Sequence, residues 1–417
     1  MVLAASAALV AAGCGGSEKA ASGGGDGGGA EKTGGLAKGQ PIVIGALQGP
    51  PEQGGPVFVQ GMQIAAKEIN DKGGIEGGHK IELKIFKTDA TPESVTAAYR
   101  EAGADKSVIG VFNGSGGGLA VRNLSNTVKL PAMTASGNDK VDRPVTRYVF
   151  ANAETGPYAS APVRHAVEVL KAKTIAVLHY ETDFSQQVPS AIEKSCQELG
   201  CKVVDVEAST SGASRAELVP RLTRMRAAKP DVYFIEELNV NALPAARDLG
   251  MFDRPVIGGN WLANTAVGMA TGKAGEGVWF ATQKCRLTNL DELAADDPMK
   301  TYCANYNKLW EQLFPGTTPE GFSVYGYDAV KAFAKATEKA IGAGKQVNRE
   351  TITDQLESFG GDDLFAATGK VTSSKENHRL VGKFEEGFVG MMMKATGAKT
   401  PPEYYIPPDT PKEGALP

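Results

Sequence analysis

From Pro41 onward the chain alternates short apolar runs with longer amphipathic ones, and this rhythm constrains the fold more than any other feature. Ile42-Val43-Ile44-Gly45-Ala46-Leu47 contains no polar side chain and reads as a strand buried on both faces of a parallel sheet. A Gly49-Pro50-Pro51 turn follows. Next comes a helical pattern with Val59, Met62, Ile64, Ala65, Ala66 and Ile69 mostly on one face, stopped by Gly73-Gly74. His79 to Lys87 alternates as a second strand, and Ser107 to Phe112 forms a third. Between them, Thr91-Pro92 joins a capping hydroxyl to a proline at the first helical position. Further strands are expected at 147–150, 174–180, 202–206, 231–235, 255–258 and 277–282. Helices are expected at 157–171, 185–199, 214–228 and 240–249, and they dominate 297–358. The segment 379–393 reads as a hairpin turning at Glu386-Gly387. A βαβα alternation places helices on both faces of a parallel sheet. The folded part is longer than one core usually serves, so the expectation is an α/β chain of two doubly wound parallel-sheet lobes.

The N-terminal stretch has a different character. Met1 to Ala12 is uncharged and apolar but too short to span a bilayer. The run Leu9-Val10-Ala11-Ala12-Gly13-Cys14 resembles a bacterial lipobox, in which small residues precede a cysteine that is lipidated and becomes the mature N-terminus. After Cys14, 11 of the 25 residues from Gly15 to Gly39 are glycine, a composition that cannot bury enough apolar surface to fold. Residues 1–13 are therefore expected to be a lipoprotein signal peptide and 14–40 a flexible linker. No Lys or Arg precedes Lys19, whereas export signals begin with a basic region, so the native start is expected upstream.

Several classes are excluded. The net charge is −4 with both signs interspersed, and no basic block or aromatic-laced cationic stripe suggests nucleic acid. After Cys14 no apolar run approaches the ~18 residues of a spanning helix, so contact with the membrane is expected through the lipid alone. Five cysteines are present; with Cys14 lipidated, Cys196, Cys201, Cys285 and Cys303 remain. In an oxidising compartment these allow three pairings, of which Cys196–Cys201 with Cys285–Cys303 is the short-loop choice. No Cys-x-x-Cys or His-x-x-x-His spacing occurs, so no metal is expected, and no cofactor either.

The chain resembles type I periplasmic binding proteins, most closely the branched-chain amino-acid (Leu/Ile/Val) receptors of ABC importers. Gly61 to Gly78, GMQIAAKEINDKGGIEGG, carries most of the similarity. Ile42-Val43-Ile44-Gly45 with Gly49-Pro50 resembles the family's first strand and turn, and Lys87-Thr88-Asp89 the end of its second. Val108-Ile109-Gly110, Leu130-Pro131, Ile175 to Ala191, and Ala274-Gly275-Glu276-Gly277-Val278 are also similar. The resemblance implies two lobes closing on a solute, joined by three crossings placed near 151, 283 and 364. The lobes are then 41–151 plus 283–363 and 152–282 plus 364–400, with a Pro-rich tail, 401–417. It also implies a monomer outside the cytoplasm, with permease subunits as partners and a small carboxylate-bearing solute as ligand.

The candidate site begins at Val111 to Leu119, where a strand ends, glycines let backbone approach a ligand and a helix begins. Free N–H groups and the positive dipole end suit an anion there. Ser115 is the one hydroxyl, with Gly114 and Gly116 as backbone candidates. Thr134-Ala135-Ser136-Gly137-Asn138 resembles the family's second ligand loop, pointing to Ser136 and Asn138. The resemblance places Phe184 at a ligand-contacting tyrosine and Asn260 at the acid that pairs with the ligand ammonium; Gly54 replaces an aromatic wall residue. Trp261 is a further aromatic candidate. Glu236 and Glu237 end a strand, and since neighbours in an extended chain point to opposite sides, one of them is expected to face the cleft.

Two other classes compete with this reading. A sensory receptor domain of the same fold would carry a spanning segment or an output domain. A surface hydrolase would need a nucleophile with a base, but the chain has no G-x-S-x-G elbow. The expectation is a binding protein, not an enzyme.

Overall fold

The computed structural model describes residues 35–51, 55–114, 116–182, 184–397 and 400–410. Cys14, Gly54 and Ser115, and with them the signal-peptide and most of the linker assignments, lie outside the described residues. Two sheets organise the rest. The first runs β2-β1-β3-β4-β5, all parallel. Its strands are β1 (Ile42–Gln48), β2 (Ile81–Lys87), β3 (Val108–Asn113), β4 (Ala132–Thr134) and β5 (Val149–Ala151). Alternation along them separates two cores. Ile44, Phe112, Met133 and Phe150 pack towards the helices Gly55–Asp71 and Ser323–Gly342, while Val43, Val111, Ala132 and Val149 face Val95, Tyr99 and Val121 of Pro92–Ala104 and Gly118–Val128.

The second sheet has the order β14-β13-β10-β9-β8-β6-β7. It is built from β6 (Thr174–Tyr180), β7 (Lys202–Ser209), β8 (Val232–Ile235), β9 (Val256–Gly258) and β10 (Val278–Gln283), parallel to one another. A two-strand ribbon, β11 (Phe365–Ala366) with β12 (Gly369–Lys370), stands apart. β13 (Phe388–Lys394) and β14 (Glu403–Tyr405) then add two antiparallel strands to the second sheet. The fold is thus α/β with two doubly wound lobes.

The chain leaves the first sheet after Ala151 and the second after Gln283. In the C-terminal third the structure departs from expectation at three places. The third crossing does not fall near 364. Leu364, Ala366, Ala367, Val371 and Leu380 are buried with the first lobe's core, and Ala151 hydrogen-bonds to His378 and Leu380. The crossing therefore lies between Leu380 and Phe388, and 364–380 belongs with the first lobe. The segment 379–393 is no hairpin: Phe384–Gly387 is a helical turn and β13 pairs with β10 and β14. Gly387 lies so close to Thr368 that a Cβ would come within 2.4 Å of its Cα, so this glycine serves packing and not a reversal. The tail is partly sheet, because the Tyr404 ring is 1% exposed and its hydroxyl donates to the Leu262 carbonyl at 2.6 Å.

Disulfides join Cys196 to Cys201 and Cys285 to Cys303, with Cα separations of 4.4 and 4.8 Å. Gly200 makes the first one possible. At φ +79° it turns the helix Val188–Leu199 into a left-handed cap, and both Gly200 and Cys201 donate to the Cys196 carbonyl.

Candidate functional site

The first wall of the candidate cleft is built at the carboxyl ends of β3 and β4, where ligands of open α/β sheets sit. Asn113 ends β3, and its Nδ2 donates to the Gly116 carbonyl at 2.8 Å, folding the loop back over the strand. Gly114 is required by packing: a Cβ there would stand 2.3 Å from the Phe58 ring. Gly116 and Gly117 both have positive φ, and Gly117 is the N-cap of Gly118–Val128 with no side chain capping it. The Ala120 N–H turns back to the Gly117 carbonyl at 3.0 Å, so the Gly118 and Leu119 N–H groups remain for another acceptor.

Ser136 and Asn138 form the second loop, but their polar atoms serve the loop itself. Ser136 Oγ accepts from the Asn138 N–H at 3.3 Å, and Asn138 Oδ1 accepts from the Lys140 N–H at 2.9 Å, capping the turn Asp139–Asp142. Ser136 is the more exposed of the two, and a Cβ on Gly118 would lie 3.2 Å from its Cβ, so the two loops touch. Arg379 fixes this turn from below. Its guanidinium meets Asp142 with two hydrogen bonds and Asp139 at 2.8 Å, and the side chains of Arg379 and Asp142 are 3% and 1% exposed.

The second wall is aromatic with an acid behind it. Phe184 and Trp261 are half-buried and meet edge to face at 5.9 Å; Trp261 meets Phe322, at the start of Ser323–Gly342, at 5.7 Å. Glu236 is fully buried behind these rings. Its Oε1 accepts from Ser185 Oγ at 3.0 Å and the Trp261 indole at 3.2 Å, and its Oε2 from the Tyr180 N–H at 3.3 Å. Burial pushes its carboxyl up to about 7, against the pull of those three donors. Glu237 points elsewhere. It accepts from the Leu243 N–H at 2.8 Å and from the Thr271 hydroxyl at 3.3 Å, at the start of the helix Ala242–Asp248, and burial pushes it up to about 7 as well. Asn260 is buried and its amide is engaged by the Tyr158 hydroxyl.

The walls meet at several points. Asp139 N–H donates to Gln187 Oε1 at 3.3 Å, and the Thr155 N–H to the Gly137 carbonyl at 3.4 Å. At the crossings, Gln283 Nε2 lies 2.9 Å from the Tyr158 hydroxyl and 2.6 Å from that of Tyr325, and the two hydroxyls touch. Asn152 Nδ2 donates to the Tyr325 carbonyl at 2.8 Å. Tyr327, a neighbour in sequence, instead bonds Glu68. Sequence reasoning missed Tyr158, Gln283, Phe322 and Arg379. The signal available was Gln283 itself, a polar residue ending the otherwise apolar strand Val-Trp-Phe-Ala-Thr-Gln.

An open groove of about 710 Å³ lies beside this region, between the helices Pro92–Ala104 and Gly118–Val128. It reaches Gly116, Gly117 and Thr182 but none of Ser136, Asn138, Phe184, Glu236 or Trp261. Among the described residues no group of His, Cys, Asp and Glu could hold a metal ion, and no helix is long and apolar enough to cross a membrane.

The periplasmic binding protein family model matches residues 43–385. Among curated relatives, the Leu/Ile/Val-binding protein BraC3 of Rhizobium johnstonii is 25% identical over 336 residues, covering 79% of this chain and 86% of that one. The Leu/Ile/Val-binding protein of Escherichia coli K12 is 24% identical over 274 residues, covering 62% and 70%. Among solved structures, an extracellular ligand-binding receptor from Rhodopseudomonas palustris HaA2 superposes with a TM-score of 0.74 at 18% identity, over 89% of this chain and 100% of that one. The isoleucine complex of LivJ from Streptococcus pneumoniae does so with 0.67 at 20% identity, over 88% and 100%. With the family model matching most of the chain and the two-lobed fold shared, the chain belongs to the periplasmic binding protein family.

Proposed function

We propose that the chain is the extracytoplasmic solute-capturing component of an ABC importer, tethered to the cell membrane through a lipid on Cys14. It holds a small carboxylate-bearing solute between two closing lobes and performs no chemistry on it. The observation that carries this reading is the pairing of unlike walls: an uncapped helix N-terminus beside Ser136 on one lobe, and an aromatic surface backed by Glu236 on the other. The first suits the carboxylate, with Ser115 and the Gly114 to Gly117 backbone as its partners. The second suits an apolar side chain on Phe184 and Trp261. Glu236, not Glu237, is the carboxyl on the cleft side, because Glu237 is committed to the start of Ala242–Asp248. Relatives named for leucine, isoleucine and valine, and in Pseudomonas aeruginosa also threonine and alanine, support an amino acid as the solute.

A melting-temperature screen of refolded, ligand-stripped protein tests the reading. A solute at ~100 times its dissociation constant adds about 2.7 kcal/mol of stability. No stabilisation by any amino acid or small carboxylate would contradict it. Mass spectrometry of the native protein tests the tether, expecting a diacylglyceryl-modified Cys14; an unmodified terminus upstream of Cys14 would refute it.

A further inference from the structure

The helix Pro298–Leu313 belongs to both lobes. Its buried residues, Met299, Cys303, Tyr306 and Trp310, recur at helical spacing along one face. Met299 and Cys303 sit in the second lobe's core, and Tyr306 and Trp310 in the first's. Tyr302, between them, packs against both cores and donates to Asp328 Oδ1 of Ser323–Gly342 at 2.5 Å. Its 16 residues span about 24 Å. The helix holds no glycine, and its one proline, Pro298, stands at the first position, so nothing in it favours a bend. The second crossing is thus a stiff rod, not a flexible strand.

Two ties fasten the start of the rod to the end of β10. Lys284 Nζ donates to Oδ2 of Asp297, the N-cap of the rod, at 2.9 Å, and the two side chains are 6% and 10% exposed. The same ammonium reaches the Glu385 and Glu386 carbonyls at 2.9 and 3.0 Å, in the third crossing. The next residue, Cys285, makes the covalent tie to Cys303, in the half of the rod that the second lobe buries. Gln283, just before Lys284, is the residue that reaches Tyr158 and Tyr325. The Cys196–Cys201 bond differs, since both of its cysteines lie in one core within the second lobe.

We infer that the Cys285–Cys303 bond sets the angle between the lobes, so that solute affinity depends on its oxidation state. With the bond made, the first half of the rod moves as part of the second lobe, and the lobe angle is set by how Tyr306 and Trp310 seat in the first. With the bond cut, residues 286–302 become a slack connection held by noncovalent contacts alone, and wider lobe angles open. The binding-competent fraction falls, and the apparent affinity falls in proportion. A dithiol reductant performs the switch by exchange. One thiolate attacks the sulfur of half-buried Cys285, and buried Cys303 leaves as a thiolate and takes up a proton. The second thiol then displaces Cys285 as the reagent's own disulfide closes. The inference rests on the solute-capture reading for its affinity arm only; the lobe angle is measurable without a solute.

Two double variants test this: Cys285→Ala with Cys303→Ala and, for comparison, Cys196→Ala with Cys201→Ala. Small-angle scattering gives the radius of gyration of each ligand-stripped protein. Titration calorimetry gives its affinity for L-leucine, L-isoleucine and L-valine. Loss of Cys285–Cys303 is expected to enlarge the radius and to weaken the tightest of the three by about fivefold or more. The parent protein treated with dithiothreitol is expected to behave likewise, and loss of Cys196–Cys201 to change neither quantity. An unchanged radius or an unchanged affinity after loss of Cys285–Cys303 overturns the inference, while solute capture stands. Equal effects of the two double variants overturn it as well, since the loosening is then general. So does a Cys285, Cys303 variant that fails to fold, because the bond then serves the fold alone. If the parent binds none of the three amino acids, the capture reading loses these solutes, and the radius alone decides the inference.

Discussion

Gln283 Nε2 lies 2.6 Å from the Tyr325 hydroxyl, and this one contact ties the end of β10 in the second lobe to the helix that crosses the first. The same amide reaches the Tyr158 hydroxyl at 2.9 Å, so the departing strand and both lobes share a single buried polar knot. All three groups are removed from water, and their tie holds only while the crossings keep their present geometry.

Tyr325→Phe removes the hydroxyl and leaves Gln283 and Tyr158 each short of one partner. An unsatisfied buried group costs about 1–3 kcal/mol, so the variant is expected to unfold at a lower urea midpoint by that amount. Chemical denaturation of both proteins at neutral pH measures it. An unchanged midpoint would mean that the knot contributes nothing to the fold.

Glu236 predicts the pH dependence. Its ordinary carboxyl value of 4.5 is pushed up to about 7 by burial. A carboxyl raised on folding contributes stability that is fully present below about 4.5 and is lost as pH rises through about 7. Glu236→Gln keeps the neutral shape, so its stability relative to the parent should improve by roughly 1–3 kcal/mol between pH 5 and pH 8. Urea unfolding at the two pH values measures the difference; a pH-independent one would show that Glu236 ionises as freely folded as unfolded.

Arg379 and Asp142 form a buried charged pair beneath the second loop. Arg379→Met leaves Asp142 without its partner, and breaking such a pair costs about 3–5 kcal/mol. Arg379→Met with Asp142→Leu should recover much of that loss, because the uncompensated charge is gone. If the single variant is as stable as the parent, the pair is not holding the loop.

The Cys285–Cys303 bond spans 18 residues, and a closed loop of that size is worth about 3 kcal/mol through the unfolded chain. Replacing both cysteines with alanine should lower stability by about that amount. Replacing Cys196 and Cys201, only 5 residues apart, should cost less. The reverse order would contradict the loop-entropy account.

Much of the fold was legible because the βα rhythm is local. The strand expected at 174–180 is β6 itself, and Thr91 and Pro92 stand at the cap and first turn as their side chains dictate. The third crossing was not legible. Its place is set by Leu380 reaching back to Ala151, a pairing across more than half the chain that leaves no periodic trace. The antiparallel strands β13 and β14 were hidden for a similar reason, since only their partner β10 makes them sheet. In the candidate site, Glu236 and Glu237 could be picked out as strand-end residues and Phe184 through the family resemblance, yet nothing local separated Glu236 from Glu237. That distinction comes from the Leu243 N–H and the Trp261 indole, each supplied by a later segment.

Capture by closure is the central claim, and small-angle scattering tests it most directly. Solute contacts drawn from both lobes make the closed form the tighter binder, so a solute shifts the population towards it. Adding an amino acid that calorimetry shows to bind tightly should reduce the radius of gyration of the ligand-stripped protein. An unchanged scattering curve at saturating ligand would contradict the account.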